Sequence, residues 1–313
     1  MWLPAFTGEA MAMKHISRIE AVSENSTSRS KTRSGPGAFQ RFISLLLLLF
    51  APTAAFAQAD YYNTDASRPL RVEDAQVLRL YSLDLYLAPL AFERVAGSLG
   101  LAAKPGVAYG LVPLTQLQFG IPVLYDKTGG RGRLGIAGAD VSLLFALRSE
   151  SPSMPAIATR VGVLLPAGEF GPARTYTSMK AIASRTLPWG RLHVNGQYTF
   201  GSGDTLSIAA LRGASANGLS RWWAGASVDR ALPLKSLLLN ASVLHEQPLA
   251  TNAGGWWRGA GGFRYQLSAS MVLEAAIGLG LDAPDRSWSF ALGLSRAMAV
   301  RALIPGIGEW GRD

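Results

Sequence analysis

The chain has 313 residues, 34 of them glycine and none cysteine; 16% are charged and the formal net charge is +9. Ordinary soluble domains are about a quarter charged, and scarce Glu and Lys beside abundant Gly, Ser, Ala and Leu suit short strands and turns better than long surface helices. The lack of cysteine excludes a disulfide framework and cysteine metal sites.

Near the N-terminus, Arg29, Lys31, Arg33 and Arg41 precede an apolar run over 42–51, and Ala55-Phe56-Ala57 follows as a small-x-small site. That order predicts a secretory signal peptide cleaved before Gln58, with cleavage after Ala59 a close alternative. The run is too short for a membrane-spanning helix, which needs ~20 apolar residues. The Ser/Thr/Arg-rich stretch SENSTSRSKTRSGPG in front of it reads as disordered, and a true start at Met13 accounts for the unusual length of this extension. Residues 58–313 hold 24 Lys and Arg against 18 Asp and Glu. The excess is modest and spread out, so nucleic acid is not expected as a partner.

Alternating segments then recur to the end of the chain. VLRLYSLDLYL sets Tyr81, Leu83, Leu85 and Leu87 against Ser82 and Asp84; a hairpin GVAYGL-VPLT-QLQFGIPVL turns at Pro113. ADVSLLFALR and PAIATRVGVLLP follow, the second with Ile157, Val161, Val163 and Leu165 opposite Arg160. TYTSMKAIASRTL alternates weakly around Lys180. GRLHVNGQYTFG places Leu192, Val194, Tyr198 and Phe200 on one face and His193, Asn195 and Gln197 on the other. SRWWAGASVD, LLLNASVLHE, WWRGAGGFRYQL, SMVLEAAIGLGL and SWSFALGLS complete the series. A period of two predicts strands with one apolar and one polar face.

These are twelve segments of about ten residues, the length that crosses a bilayer at a tilt. Short connections (112–114, 187–190, 267–268) alternate with longer ones (125–132, 167–174, 201–217), as in outer-membrane barrels. A secreted sandwich would also alternate. The polar faces, however, carry Ser, Gly, Gln and Asn with few Lys or Glu. Trp189, Trp222, Trp223, Trp256, Trp257 and Trp288 gather at segment ends as interfacial girdles do. The expectation is an all-β, antiparallel, up-and-down transmembrane barrel of about 12 strands (range 10–14). It would be divided as residues 1–57 (extension and signal peptide), 58–74 (a periplasmic or lumenal segment), 75–299 (barrel) and 300–313 (tail).

In such a barrel the lumen would hold Asp84, Asp140, Arg160, Lys180, His193, Asn195, Gln197, Arg221, Glu246, Arg258, Arg264 and Glu274. Four acids and five bases are nearly balanced. A structural network filling a narrow barrel and a polar path slightly favourable to anions both need these residue types. His193 raises a hydrolase as a distant third reading, since a serine on an adjacent strand could pair with it. His245 has lipid-facing parity near a strand end, which puts it at the interface. GSGD (201–204), GAGG (259–262) and DKTGGRGR (126–133) join no strand to a helix and read as turns or small lipid-facing residues. No metal-ligand spacing and no cofactor motif is present.

The stretch TDASRPLRVEDAQVLRLYSLDLYLAPL, with VAYGLVPLTQLQFGIPV and RVGVLLPAGEFGP, resembles the outer-membrane proteins of the meta-pathway of phenol degradation. The resemblance rests on Glu73-Asp74-Ala75, Tyr109-Gly110-Leu111 and Pro113. It implies a transporter-like barrel in a Gram-negative-type outer membrane, related in architecture to hydrocarbon and fatty-acid channels, with no catalytic residues. The segment AVRALIPGIGEWGRD departs from the aromatic strand terminus common at the end of outer-membrane barrels. The expected role is passive movement of a small aromatic or lipophilic solute. The alternative is a structural or surface-interaction barrel without a conducting lumen.

Overall fold

The computed structural model describes residues 59–60, 62–64, 68–95, 98–128, 131–201, 219–232, 236–249, 254–282 and 287–300. The expected signal peptide and extension, nearly all of the 201–217 loop with its GSGD run, and the tail beyond Val300 lie outside the described residues.

Among the described residues all regular structure is β. The strands are β1 (Ser82–Val95), β2 (Ser98–Val112), β3 (Thr115–Gly120), β4 (Val123–Thr128), β5 (Arg131–Ile136), β6 (Ala139–Arg148) and β7 (Ala156–Leu165). They continue as β8 (Tyr176–Leu187), β9 (Gly190–Phe200), β10 (Trp222–Ala231), β11 (Leu237–Gln247), β12 (Trp256–Ser268), β13 (Met271–Gly280) and β14 (Trp288–Ala299). Strands that are neighbours in the ring pair antiparallel, and β1 pairs with both β2 and β14, which closes it.

Fourteen strands fill twelve ring positions. β3 and β4 both lie on β2, one from Gly106 to Val112 and the other from Gly100 to Ala103. They are one barrel strand interrupted at Ile121-Pro122, where proline removes a ladder donor. β5 and β6 are likewise one strand, broken at Ala137-Gly138, with Gly138 at φ 111°. Ala137 N–H donates to the Pro122 carbonyl at 2.8 Å and Phe170 N–H to the Ile136 carbonyl at 3.0 Å, so the backbone freed by the break finds partners. A closed ring is what hydrocarbon demands, because it leaves no strand edge unpaired.

Three details differ from the sequence expectation. The first strand begins at Ser82 and not in the run 77–80; Tyr81 has a positive φ of 62° and turns the chain out of the interior. Of the connection expected over 125–132, residues 125–128 belong to β4 and 131–132 to β5. Trp223 is not a girdle residue: it is 1% exposed and points inward, since neighbours on a strand face opposite ways.

The alternation sorts side chains as a membrane barrel requires. On β9, Val194, Tyr198 and Phe200 are 50%, 46% and 50% exposed on the outside, while His193, Asn195 and Thr199 are buried. Ile277 and Leu279 on β13, and Leu239 and Val243 on β11, are exposed in the same way. In water such a belt would be unfavourable; against lipid it is matched.

The interior is not empty. The chain before β1 runs inside the ring, and small apolar clusters form between it and the inner wall. Ala75 packs with Leu144, Ala158 and Ile182, and Val72 packs with Trp223 and Leu244.

Candidate functional site

The interior is organised around this inner segment, residues 68–80. Its charges are buried: Arg68, Glu73 and Asp74 are each at most 1% exposed. A polar group taken from water must be hydrogen-bonded, and a charge must be paired. The barrel wall supplies the partners in three groups.

The first surrounds Glu73. Its carboxylate accepts from Lys180 Nζ of β8 at 2.6 Å and from Arg160 Nε of β7 at 3.0 Å. Arg160 also donates to Gln118 and, at 3.0 Å, to Ser142 Oγ. The Asn195 side chain reads the Glu73 backbone on both sides. Its Oδ1 accepts the Glu73 N–H at 2.7 Å and its Nδ2 donates to the Glu73 carbonyl at 2.9 Å.

Beside it, Ser184 Oγ accepts the Ala75 N–H at 2.9 Å and lies 2.8 Å from His193 Nδ1. His193 Nε2 lies 3.0 Å from Asp229 Oδ2, and Arg191 grips the same carboxylate through two nitrogens at 2.9 and 2.6 Å. Arg191 also meets Asp74 Oδ2 at 3.4 Å. With Ser184 accepting from the backbone, its own hydrogen is free to go to Nδ1, which sets the Nε2–H tautomer facing Asp229. Serine, histidine and aspartate stand in the order of a hydrolase chain. The serine oxygen, however, is covered by the inner segment.

The second group surrounds Glu246 on β11, which binds Arg71 and accepts from Ser220 Oγ at 2.7 Å and Trp256 Nε1 at 3.1 Å, with Arg258 Nε at 3.3 Å. Arg71 also lies over the Trp223 ring, 4.8 Å from its centre. The third surrounds Arg68, stacked on Tyr86 at 4.2 Å and 3.9 Å from both Asp84 and Glu274; Glu274 in turn faces Arg264 at 3.5 Å.

The twelve residues singled out in the sequence are thus distributed as follows. Arg160, Lys180, His193 and Asn195 meet around the inner segment; Glu246 and Arg258 form the second group; Asp84, Arg264 and Glu274 join the third. Asp140 pairs with Lys104 at 3.6 Å. Gln197 stands in register between Lys180 and Trp223. Arg221 closes the barrel end, donating to the Thr199 carbonyl at 3.1 Å and to that of Gly201.

The sequence reading left 58–74 as a periplasmic or lumenal segment and singled out none of Arg68, Arg71, Glu73 and Asp74 within it, nor Ser184 and Asp229 as partners of His193. Parity could have found the last two: Ser184 shares the face of Lys180, and Asp229 that of Ser227. His245 lies outside, stacked on Trp222 at 5.2 Å and edge-on to Trp257 at 5.1 Å. Among the described residues no cluster of His, Asp and Glu could hold a metal ion.

A closed antiparallel ring with an apolar outside and a polar interior defines a transmembrane β-barrel of the outer-membrane type. No family model matches the chain, and no curated protein matches it in sequence. Among solved structures it is similar to an outer-membrane channel from Pseudomonas putida F1, with 12% identity over 72% of this chain and 98% of that one and a TM-score of 0.49. It is similar to the KdgM porin at 9% identity over 69% of this chain and 98% of that one, with a TM-score of 0.45. The outer membrane phospholipase A from Escherichia coli is also similar, at 10% identity over 70% and 97% of the two chains and a TM-score of 0.38.

Proposed function

We propose that this protein is an outer-membrane channel that passes a small solute passively, and that residues 68–80 close its lumen when seated. The observation that carries the reading is the tether of Glu73 to Arg160, Lys180 and Asn195 on three successive strands. A barrel that needed only a filled interior could use bulky apolar side chains. Here the filling is a detachable stretch of chain, held mostly through side chains and not woven into the ring.

Among the described residues the interior acids each face one or two bases, so the charges stand in mixed clusters and not as a ring of one sign that would select an ion. That favours an uncharged solute, and the likeness of Glu73-Asp74-Ala75, Tyr109-Gly110-Leu111 and Pro113 to the phenol-degradation outer-membrane proteins favours an aromatic or lipophilic one. The partners are then outer-membrane lipid and this solute. We read Ser184, His193 and Asp229 as a hydrogen-bond relay that seats the segment and not as a catalyst. The Ala75 N–H occupies the serine oxygen, and the aspartate is held by two arginine nitrogens.

The native chain has no cysteine, so a single engineered pair can lock the segment. Ala75→Cys with Ser184→Cys, purified and inserted in planar bilayers, should conduct when reduced and fall silent when oxidised. Bond formation is checked by gel mobility. Absence of conductance and of solute uptake in wild type, the reduced pair and Glu73→Ala alike would overturn the channel in favour of a structural barrel.

A further inference from the structure

The inner segment does not fill the ring evenly. Residues 72–78 lie against β3 and β6–β11, where Glu73, Ala75 and Leu78 find their partners, whereas Arg68 reaches across to β1 and β13. Inward positions behind the segment are closed off: Ala158, Ile182 and Asn195 are at most 2% exposed. On the other side Ser242, Ala260, Gly262, Ser289 and Ala291 also face inward, yet stay partly exposed. Register carries one inward row from Asn240 through Gly262, Ala276, Ala291 and Ala91 to Ala102. Nothing larger than a methyl group follows Asn240 along it, over roughly 20 Å at the ~4.8 Å spacing of strands. The GAGG run, expected as a turn or as lipid-facing residues, lies inside β12 with Ala260 and Gly262 turned inward beside Arg264.

The polar groups at the edge of this bare row are what point to a guest. Asn240 is 7% exposed, and neither its Oδ1 nor its Nδ2 has a hydrogen-bond partner among the described residues. That Oδ1 stands 3.0 Å from where a Cβ on Gly262 would lie, so the amide is turned over the row. Asp229, in register beside Asn240, is taken up by Arg191 and His193. One step toward the short-turn end, Arg264 and Glu274 are buried and face each other at 3.5 Å. Arg264 Nε and Nη1 and both Glu274 oxygens lack a hydrogen bond. Buried donors and acceptors are normally satisfied, and here those of three adjacent strands border one bare patch. Asn240 and Arg264 are diagonal neighbours, roughly 7 Å apart at Cβ, a gap that one small molecule bridges. Arg68 and Arg264 balance Asp84 and Glu274, so no net charge draws an ion. An amide that lacks both a donor and an acceptor is matched by a group that serves as both, a hydroxyl.

We propose that this alcove is a binding site for one small uncharged alcohol, its hydroxyl on the Asn240 amide and its apolar body on the row from Gly262 to Ala91. The site rests on the channel reading only in that the guest is the solute that passes; its binding is measured without conduction.

The test uses the full-length barrel in detergent micelles, isotope-labelled at Asn and Gly nitrogen, with cyclohexanol as the probe and NMR as the readout. In wild type the Asn240 side-chain amide and the Gly262 backbone amide should shift saturably, while the Asn195 side chain, held by Glu73, should not. Methoxycyclohexane, which cannot donate, should need a several-fold higher concentration. Asn240→Leu should raise the concentration that half-shifts Gly262 several-fold. It should unfold in urea no earlier than wild type, because it removes a buried amide that has no partner. Shifts that do not saturate, that appear equally at Asn195, or that persist in Asn240→Leu overturn the proposal and leave ordered water as the partner of the amide. Earlier unfolding of Asn240→Leu also overturns it, since the side chain would then be structural. A barrel that binds cyclohexanol here and conducts nothing fails the channel reading alone; one that conducts without these shifts fails this proposal alone.

Discussion

Glu73 and Lys180, 107 residues apart in sequence, meet at 2.6 Å in the barrel interior, and Arg160 reaches the same carboxylate at 2.9 Å. One acid from the inner segment therefore neutralises two bases of the wall. Removing one member of a buried ion pair costs about 3–5 kcal/mol because the survivor stays buried and unpaired. Glu73→Ala should unseat residues 68–80. Single-channel conductance in planar bilayers should rise, and the segment should become cleavable by a protease added from the side of the termini. Unchanged conductance and protection would mean that these pairs do not hold the segment.

Arg71 and Glu246 should be energetically coupled. Because Glu246 also faces Arg258 and Ser220, the single substitutions mix several losses. A double-mutant cycle of Arg71→Ala and Glu246→Ala isolates the pair and should return about 0.5–3 kcal/mol of coupling in urea unfolding from lipid vesicles.

Ser184→Ala removes the acceptor of the Ala75 N–H and the neighbour of His193 Nδ1. Two buried polar groups lose their partner, at about 1–3 kcal/mol each, so the variant should unfold at lower urea than wild type. A fluorophosphonate probe directed at activated serines should leave Ser184 unlabelled. Labelling that disappears in His193→Ala would restore the hydrolase reading.

At Gly110 on β2 the backbone of the inner segment lies directly against the wall. A Cβ there would run into the backbone carbonyl of Arg79, and the Gly110 carbonyl accepts the Tyr81 N–H at 3.0 Å. Gly110→Val cannot be accommodated by a side-chain shift, because the obstacle is backbone. It should raise conductance as Glu73→Ala does, although no charge is changed.

Val194 and Gln197 lie three residues apart on β9 and face opposite ways. Val194→Arg puts a charge against lipid and should cost about 2–4 kcal/mol, read as lower folded yield and earlier urea unfolding. Gln197→Glu, in register with Lys180, should be tolerated. Equal effects would contradict the assignment of inside and outside.

The strand ring was legible in the sequence to an unusual degree because a membrane barrel has no hidden layer. Every residue of a span meets either lipid or lumen, so alternation alone sorts the faces, as it does for Val194 and His193. The breaks at Pro122 and Gly138 escaped that reading. The break at Pro122 keeps the parity, with Gln118 and Leu124 both buried, whereas the break at Gly138 reverses it: Leu134 and Ile136 face out on β5, while Ser142 and Leu144 are buried on β6. The freed backbone is repaired by contacts from residue 137 and from Phe170 that no local pattern announces. Trp223 shows the opposite limit. Its composition suggested a girdle, but its parity, one step from Trp222, sent it inward to Arg71 and Lys180.

The stretch GRLHVNGQYTFG marks the division. Its residues alone fix that Val194, Tyr198 and Phe200 share one face and that His193, Asn195 and Gln197 share the other, since side chains on a strand must alternate. What those faces meet depends on closure of the ring and on where the preceding chain goes, and both are set by pairings between residues tens to hundreds of positions apart. Only the tertiary structure brings Glu73 onto Asn195 and seats Ala75 on Ser184 beside His193.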